Sequence, residues 1–143
     1  MSHAELMDDT EIREFLGNEG TAVLALARND ESYAIPVSYG FDATDETFYL
    51  RLAFHPDSEK REYLGPSRRV SLVVSEETDD GWRSVVARGH LRETGEAAID
   101  SSVVEAIRRV NIPFFTVFDR PARELEFELF RLAPDDCTGH KQT

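Results

Sequence analysis

Ser58 and Lys60 are the residues of this chain whose types and spacing most suggest binding chemistry. Lys60 is one of only two lysines among 16 basic residues, and the other, Lys141, stands two residues from the end. The pair follows a strand-like run, 47–53, and opens a short helical stretch, 59–64. A hydroxyl, an ammonium group and the free N–H groups of a helix start can together hold a phosphate. A capped turn, with Ser58 as N-cap and Lys60 in solvent, is the simpler alternative on spacing alone.

Net charge limits the partners that the chain can have. The 143 residues include 28 acidic and 16 basic side chains, which gives a formal net charge of −12. Such an acidic surface argues against binding to nucleic acid or to an anionic membrane, since both require basic patches. Scarce lysine, abundant arginine and many carboxylates resemble the composition of proteins from a salt-rich, halophilic cytoplasm. The length predicts a single domain that can bury a core.

Cysteine and histidine are too sparse to predict a metal centre or a disulfide. Cys137 is the only cysteine, and its position predicts an ordinary surface or half-buried thiol. The four histidines, His3, His55, His90 and His140, are scattered without acidic or cysteine partners at ligand spacing. No apolar leader opens the chain and no apolar run approaches the length of a membrane span. We therefore expect a cytoplasmic protein that neither inserts in nor binds a membrane.

Capping residues predict the first helix. Asp8 and Glu11 have the spacing of a capping box, and Gly17 can end the helix in a left-handed conformation. Between them the apolar residues recur on one face: Ile12, Phe15 and Leu16. A second helix is predicted over 96–110, because apolar residues recur there at helical spacing before Pro113.

Alternating apolar residues predict strands separated by polar turns. The predicted strands are 21–27, 32–41, 47–53, 70–74, 82–93 and 124–132. Pro36 lies inside the second of these and cannot donate to a ladder, so this strand is at an edge, bulged, or beside a ligand. Gly89 predicts a bend or bulge in the longest one. The turns between neighbouring strands are too short for parallel crossovers, which indicates antiparallel pairing.

This order of elements predicts a mainly β fold with peripheral helices. Antiparallel hairpins flanked by helices favour a closed or partly closed barrel of about six strands. We predict one domain over 1–143, with residues 1–7 and 135–143 as flexible or peripheral tails.

Several of these segments, in this order, resemble the flavin-binding split-barrel superfamily. The segments are 34–41, 48–51, Ser58-x-Lys60, 82–89, and the C-terminal stretches 131–134 and 138–141. This superfamily comprises pyridoxamine 5′-phosphate oxidase and its nitroimidazole-resistance-type relatives, and the resemblance covers nearly the whole chain after residue 10. It implies a homodimer that holds FMN in two clefts between the subunits.

The resemblance also implies which residues contact the flavin. Pro36, Val37 and Ser38 would line the isoalloxazine through backbone groups. Arg51 and Leu52 would lie where strand atoms face the flavin or its phosphate, although a surface ion pair is the alternative interpretation of Arg51.

The remaining implied contacts come from the start of the short helix 59–64 and from the strand 82–93. Ser58 and Lys60 would grip the phosphate. Trp82 and Ser84 would lie near the ring, from the same or the second subunit. An aromatic wedge in the barrel wall or dimer interface is the favoured alternative for Trp82. An aromatic cluster after Pro113, formed by Phe114, Phe115 and Phe118, could shield a flavin but is more typical of core packing.

The implied activity is an FMN-dependent oxidoreductase that is not a true pyridoxamine 5′-phosphate oxidase. The Arg-x-His substrate motif of those oxidases is missing, and the stretch 51–58 is longer than theirs. Hydride would pass from a nicotinamide donor to flavin N5 and then to a small-molecule acceptor or oxygen. The alternatives are a deazaflavin-dependent reductase and a non-catalytic module that binds flavin or haem. No nucleophile elbow or catalytic triad order is present, so any redox chemistry belongs to a cofactor.

Overall fold

The computed structural model describes residues 4–17, 19–54, 67–93 and 126–142. Its elements are β1 (Glu5–Leu6), α1 (Asp9–Leu16), β2 (Glu19–Arg28), β3 (Glu31–Asp42), β4 (Thr47–Phe54), β5 (Ser67–Thr78), β6 (Gly81–Glu93) and β7 (Glu126–Gln142). The predicted helices over 59–64 and 96–110 and the aromatic cluster after Pro113 lie outside the described residues.

Six of the strands close into a barrel, as predicted. The neighbours run β7-β4-β3-β2-β5-β6, and β6 pairs in turn with β7, which closes the ring. Every one of these pairings is antiparallel. The short strand β1 adds to the end of β7 through Glu5–Lys141 and Leu6–His140. The mainly β, antiparallel barrel is therefore confirmed.

Inward-facing apolar side chains of the strands fill the barrel interior. Side chains of opposite strands meet inside, and the fully buried ones include Leu24, Leu50, Leu72, Val85 and Leu132. Each of them removes a whole aliphatic side chain from water, which contributes about 1.5–3 kcal/mol before the entropy of ordering is subtracted.

Helix α1 packs its apolar face onto the barrel core, and its ends are fixed by the residues that the sequence indicates. The Asp8 carboxylate accepts a hydrogen bond from the Glu11 backbone N–H at 2.8 Å, and Glu11 accepts one from the Asp8 N–H. Gly17 ends the helix at φ 61°, donating its N–H to the Arg13 carbonyl. Ile12 and Leu16 are buried in the core. The predicted first helix is confirmed.

Turn and bulge residues set the strand register. Asn29 and Asp30 both adopt positive φ in the two-residue turn between β2 and β3, which suits the right-handed twist of a hairpin. The predicted irregularity at Gly89 is also confirmed. Arg88 pairs with Asp136 and Gly89 with Pro134, so Asp135 is the extra residue of a bulge in β7.

The predicted C-terminal tail is wrong for residues 135–142, and β1 was not predicted. Strand β7 continues past Pro134 to Gln142, because the bulge at Gly89 accommodates a residue that cannot donate to the ladder. Lys141 is consequently not in a free tail. Its ammonium group forms an ion pair with Glu11 at 2.5 Å, which joins the end of β7 to α1.

Candidate functional site

The barrel is split where β3 and β4 separate. The two strands pair only from Tyr39 opposite Leu50 to Asp42 opposite Thr47. The first half of β3 continues along β2, whereas the second half of β4 continues along β7. Between these halves, backbone N–H and C=O groups on the facing edges have no strand partner within the described residues. Such an edge can accept a ligand in place of a neighbouring strand.

Pro36 lies in the open half of β3. It is opposite Val23 of β2, and β4 does not pair with it. A proline has no N–H to offer a neighbouring strand, so this position is compatible with an edge and not with the middle of a sheet. Among the described residues, Pro36 therefore lies on an unpaired edge, which is one of the three positions that the sequence allowed.

Ser38 stands at the last position of the open half, next to Tyr39. Its side chain is only 4 % exposed, yet its hydroxyl has no hydrogen-bond partner in the described part of the chain. Among the described residues, the Nε of Arg68 is the other buried side-chain atom without a hydrogen-bond partner. A buried hydroxyl without a partner costs about 1–3 kcal/mol, so Ser38 is a group that a ligand could satisfy.

Five of the predicted flavin contacts lie on the two sides of the split. Pro36, Val37 and Ser38 belong to the open half of β3, while Arg51 and Leu52 follow the last β3-paired residue of β4. The side chains of Val37 and Leu52 are buried in the barrel core, so these two residues can offer a ligand only their backbone groups. Arg51 is paired with Leu129 of β7 through its backbone.

Two of the other four predicted contacts lie on a different strand, and two are outside the described residues. Trp82 and Ser84 are in β6, which is separated from β3 by β2 and β5. Three strand spacings correspond to roughly 14 Å, too far for one small ring to reach both Ser38 and Ser84 on the same barrel. Ser58 and Lys60 lie outside the described residues.

An apolar row crosses the outer face of the barrel from the split towards β6. Pro36 is opposite Val23, Val23 is opposite Val73, and Val73 is opposite Val86. Val23 is 43 % exposed, and Val73 and Val86 are half-buried. Charged residues make up 31 % of the chain, yet none stands in this row. An uncharged, partly exposed row beside a cleft has the character of an interface core.

The titratable groups packed against the core are not suited to proton transfer at neutral pH. Burial, and then the Glu76 carboxylate, raise the pKa of Tyr39 to about 12, and its hydroxyl donates to the Leu16 carbonyl at 2.9 Å. Burial, and then the nearby carboxylates of Asp136 and Glu46, raise the pKa of the Cys137 thiol to about 11. Cys137 borders a cavity of about 180 Å³ beside α1 and is half-buried there as an unreactive thiol.

Two further classes of feature are not found in the described ranges. Among residues 4–17, 19–54, 67–93 and 126–142, no three His, Cys, Asp or Glu side chains come together as metal ligands would. No helix in the same part of the chain has the length and apolar character needed to cross a membrane.

Solved structures with this fold come from several bacteria. A FAD-binding protein of Mycobacterium smegmatis is 15 % identical with a TM-score of 0.68, and the match covers 97 % of this chain and 99 % of that one. A FAD-binding protein of Mesorhizobium loti is 20 % identical with a TM-score of 0.67, covering 100 % and 99 %. A FAD- and haem-binding protein of Mycobacterium smegmatis is 14 % identical with a TM-score of 0.66, covering 96 % and 72 %. At these identities the likeness shows the fold.

Sequence comparison shows the family. No curated protein sequence matches this chain. The family model described as pyridoxamine 5′-phosphate oxidase matches residues 8–141, which is nearly the whole chain and includes both sides of the split. The chain therefore belongs to the pyridoxamine 5′-phosphate oxidase family.

Proposed function

We propose that this protein binds FMN at the split between β3 and β4, in a cleft that a second copy of the chain completes, and serves as an oxidoreductase. The electron donor is a nicotinamide and the acceptor a small molecule. Family membership and the flavin-binding proteins among its structural neighbours support a flavin. Ser38 is the observation on this chain that carries the proposal.

The chemistry of the split fits an isoalloxazine ring. The ring presents carbonyl oxygens and ring nitrogens at its edge, and these can pair with the Ser38 hydroxyl and with backbone N–H groups of the open half of β3. Pro36 provides an uncharged surface on the β3 side, and the open edge of β4 provides backbone groups on the other. A bound flavin supplies hydride acceptance and donation, and the protein contributes position, hydrogen bonds and exclusion of water.

The apolar row supports the second copy as the partner. It starts at Pro36, inside the site, and runs through Val23, Val73 and Val86. Trp82, 46 % exposed, lies further along the same face, too far from Ser38 of its own chain to share one ring. A partner barrel laid on this face would bring its own Trp82 and Ser84 towards the split. An obligate interface of this kind buries on the order of 2,000 Å² or more.

Light scattering tests the dimer directly. We expect the mass of two chains at micromolar concentration, and Val23→Asp should shift it towards the monomer and release the flavin, because it buries an unpaired charge in the apolar row. Ala27→Asp places the same charge on the same face of the same strand, at an exposed position opposite Ser32 and outside the apolar row, as a milder control. A wild-type protein that stays at 16.2 kDa while retaining flavin would rule the shared cleft out.

Ser38→Ala tests the site because it should affect stability and flavin affinity differently. Removing a buried hydroxyl without a partner should leave the free energy of unfolding of the cofactor-free protein unchanged or raise it by up to about 1–2 kcal/mol. The same change should weaken flavin binding by about 0.5–1.5 kcal/mol, or roughly twofold to tenfold. Chemical denaturation and flavin titration measure the two effects.

Ser32→Ala is the matched control, since Ser32 is exposed in the same strand. It should change neither quantity. Flavin affinity that is the same in Ser38→Ala and in the wild type would remove Ser38 from the site.

The phosphate end of the site rests on Ser58 and Lys60. Lys60→Ala should weaken FMN binding by about 1.5–3 kcal/mol, or roughly tenfold to a hundredfold, because it removes a charge-assisted contact. Riboflavin has no phosphate and should bind both proteins equally. Equal FMN affinity in the wild type and the variant would favour the alternative, in which Ser58 only caps a turn and Lys60 is in solvent.

Turnover and spectrum separate the remaining classes of function. The absorption spectrum of the purified protein distinguishes FMN from a deazaflavin and from haem. Steady-state oxidation of NADH or NADPH by the flavin-loaded protein is expected for the oxidoreductase. A protein that binds FMN tightly but does not accelerate nicotinamide oxidation would be a flavin-binding module without catalytic activity.

A further inference from the structure

A second cavity, of about 420 Å³, lies on the outer face of β7 between β4 and β6. The small side chain of Ala133 is among the groups that line it, as are Tyr49 from β4 and His90 and Arg92 from β6. Arg131 of β7 lines it beside Ala133. Tyr49 is buried although it points out of the barrel, and its aromatic ring forms one wall of this cavity.

Two arginines in this cavity are direct neighbours across the sheet. Arg92 of β6 is opposite Arg131 of β7, and Arg131 is opposite Tyr49 on its other side. Like charges directly opposite one another on adjacent strands destabilise a sheet. The arrangement therefore has a cost that an anion between the two guanidinium groups would remove.

Neither arginine has an acidic partner in the part of the chain that the structure describes. Arg13 pairs with Glu46 at 3.0 Å and Arg69 pairs with Asp135 at 3.2 Å, whereas no side-chain hydrogen bond or ion pair involves Arg92 there. No side-chain hydrogen bond or ion pair involves Arg131 in the described ranges either. The chain has 28 acidic residues for 16 basic ones, so two adjacent cations without a partner stand out against its composition.

The carboxylates that also border the cavity lie at its other end. Asp135 accepts from Arg69 and lies 3.8 Å from the Nδ1 of His90. Asp45 belongs to the turn before β4, beyond Thr47, whose hydroxyl donates to the Asp45 carbonyl at 3.0 Å. The cavity is consequently cationic where Arg92 and Arg131 meet.

We infer that this cavity binds the anionic group, a phosphate or a carboxylate, of a small molecule. The planar forks of Arg92 and Arg131 donate to its oxygens, as guanidinium groups do in bidentate pairs. Tyr49 and Ala133 form the wall and floor against which the rest of the molecule packs. The site shares strand β4 with the proposed flavin site, but none of the residues that line it is among the predicted flavin contacts, so the inference does not depend on the flavin proposal.

The test uses inorganic phosphate and succinate as probes of the purified protein at constant potassium chloride concentration. Isothermal titration should show saturable binding of at least one of them, which also tells a phosphate site from a carboxylate site. Arg92→Gln and Arg131→Gln should each weaken that binding by roughly tenfold to a hundredfold. The melting temperature should rise with the probe in the wild type and stay constant in both variants.

Arg88→Gln is the matched control, because Arg88 is an exposed arginine of the same strand that does not line the cavity. It should bind the probe as the wild type does, and all variants should keep the flavin content of the wild type. Absence of saturable binding by either probe, or equal binding in Arg92→Gln and the wild type, would overturn the inference while leaving the flavin proposal intact.

Discussion

The two halves of β3 have different environments although they form one continuous strand. Residues Tyr39–Asp42 pair with β4, and Tyr39 and Gly40 pair with β2 as well. The rings of Tyr39 and Phe41 pack with Phe48 in the barrel. Residues Glu31–Ser38 are paired with β2 alone within the described part of the chain. The paired half closes the barrel, and the open half leaves backbone edges and a hydroxyl available for a ligand.

Ser38 and Tyr39 show the difference at neighbouring positions. Both side chains are buried, at 4 % and 2 % exposed. The Tyr39 hydroxyl satisfies the carbonyl of Leu16 at the end of α1, whereas the Ser38 hydroxyl has no partner in the described residues. A fold that was optimised only for stability would not bury a hydroxyl in this way, so the contrast separates a structural position from a candidate binding position.

Truncating the β4 side chain that packs on the paired half should have the largest effect. Phe48 is fully buried against the rings of Tyr39 and Phe41, with centroids 5.6 and 4.8 Å away. Phe48→Ala should lower the free energy of unfolding by about 3–5 kcal/mol, because a cavity is left in the core. Pro36→Ala, in the open half, should change it by no more than about 1 kcal/mol. Denaturant unfolding of both variants measures the contrast, and equal losses would mean that the open half is as tightly packed as the paired half.

A second comparison is between the long pairing of β6 with β7 and the short pairing of β3 with β4. A Cβ at Gly89 would meet the Ala133 carbonyl oxygen at 3.0 Å and the Pro134 Cα at 3.1 Å, and these are backbone atoms that cannot turn aside. Gly89→Val should therefore cost about 1–3 kcal/mol of unfolding free energy. Arg88→Val introduces the same side chain at the exposed neighbouring position, where a β-branched residue suits a strand. Similar melting temperatures for the two variants would contradict the close approach at the bulge.

Removing the Tyr39 hydroxyl should have a smaller effect that depends on pH. Tyr39→Phe leaves the Leu16 carbonyl without its donor and should cost about 1 kcal/mol at neutral pH. The pKa of Tyr39 is raised to about 12 in the folded protein, above its usual value near 10. The stability linked to this group is thus fully present below pH 10 and is lost as the pH rises towards 12.

Unfolding of the wild type and of Tyr39→Phe at pH 8 and pH 11 tests the linkage. The wild type should lose more stability than the variant between these two values. A parallel decline in both proteins would show that Tyr39 ionises as readily in the folded state as in the unfolded one.

The ion pair between Lys141 and Glu11 should have the smallest effect. The hydrogen bond from Lys141 is the main cause that lowers the pKa of Glu11, followed by the bond from the Asp8 backbone. Glu11 therefore stabilises the fold above its unfolded pKa, and this contribution is lost as the pH falls through the folded value. Lys141→Gln should lower the melting temperature slightly at pH 7 and low salt, and the difference should vanish in acid and in molar salt. A difference that persists in molar salt would indicate packing of the lysine stem instead.

Local chemistry was sufficient to predict several parts of this fold. Asp8, Glu11 and Gly17 define α1, and Asn29 and Asp30 define a hairpin turn, because caps and turns depend on residues close in the chain. Alternation predicted the strands, and Pro36 limited its position to an edge, a bulge or the side of a ligand. The family could be recognised because the order of these local signals spans the whole chain.

Only the tertiary structure decided the features that depend on which strands are neighbours. The sequence pattern predicted a last strand over 124–132 and a tail over 135–143, yet β7 continues through a bulge at Asp135, opposite Arg88 and Gly89, to Gln142. Arg92 and Arg131 are far apart in the sequence, so no local pattern could predict that they pair across the sheet. Burial of the Ser38 hydroxyl likewise follows from where β4 leaves β3, because register and closure are set by long-range packing of the whole barrel.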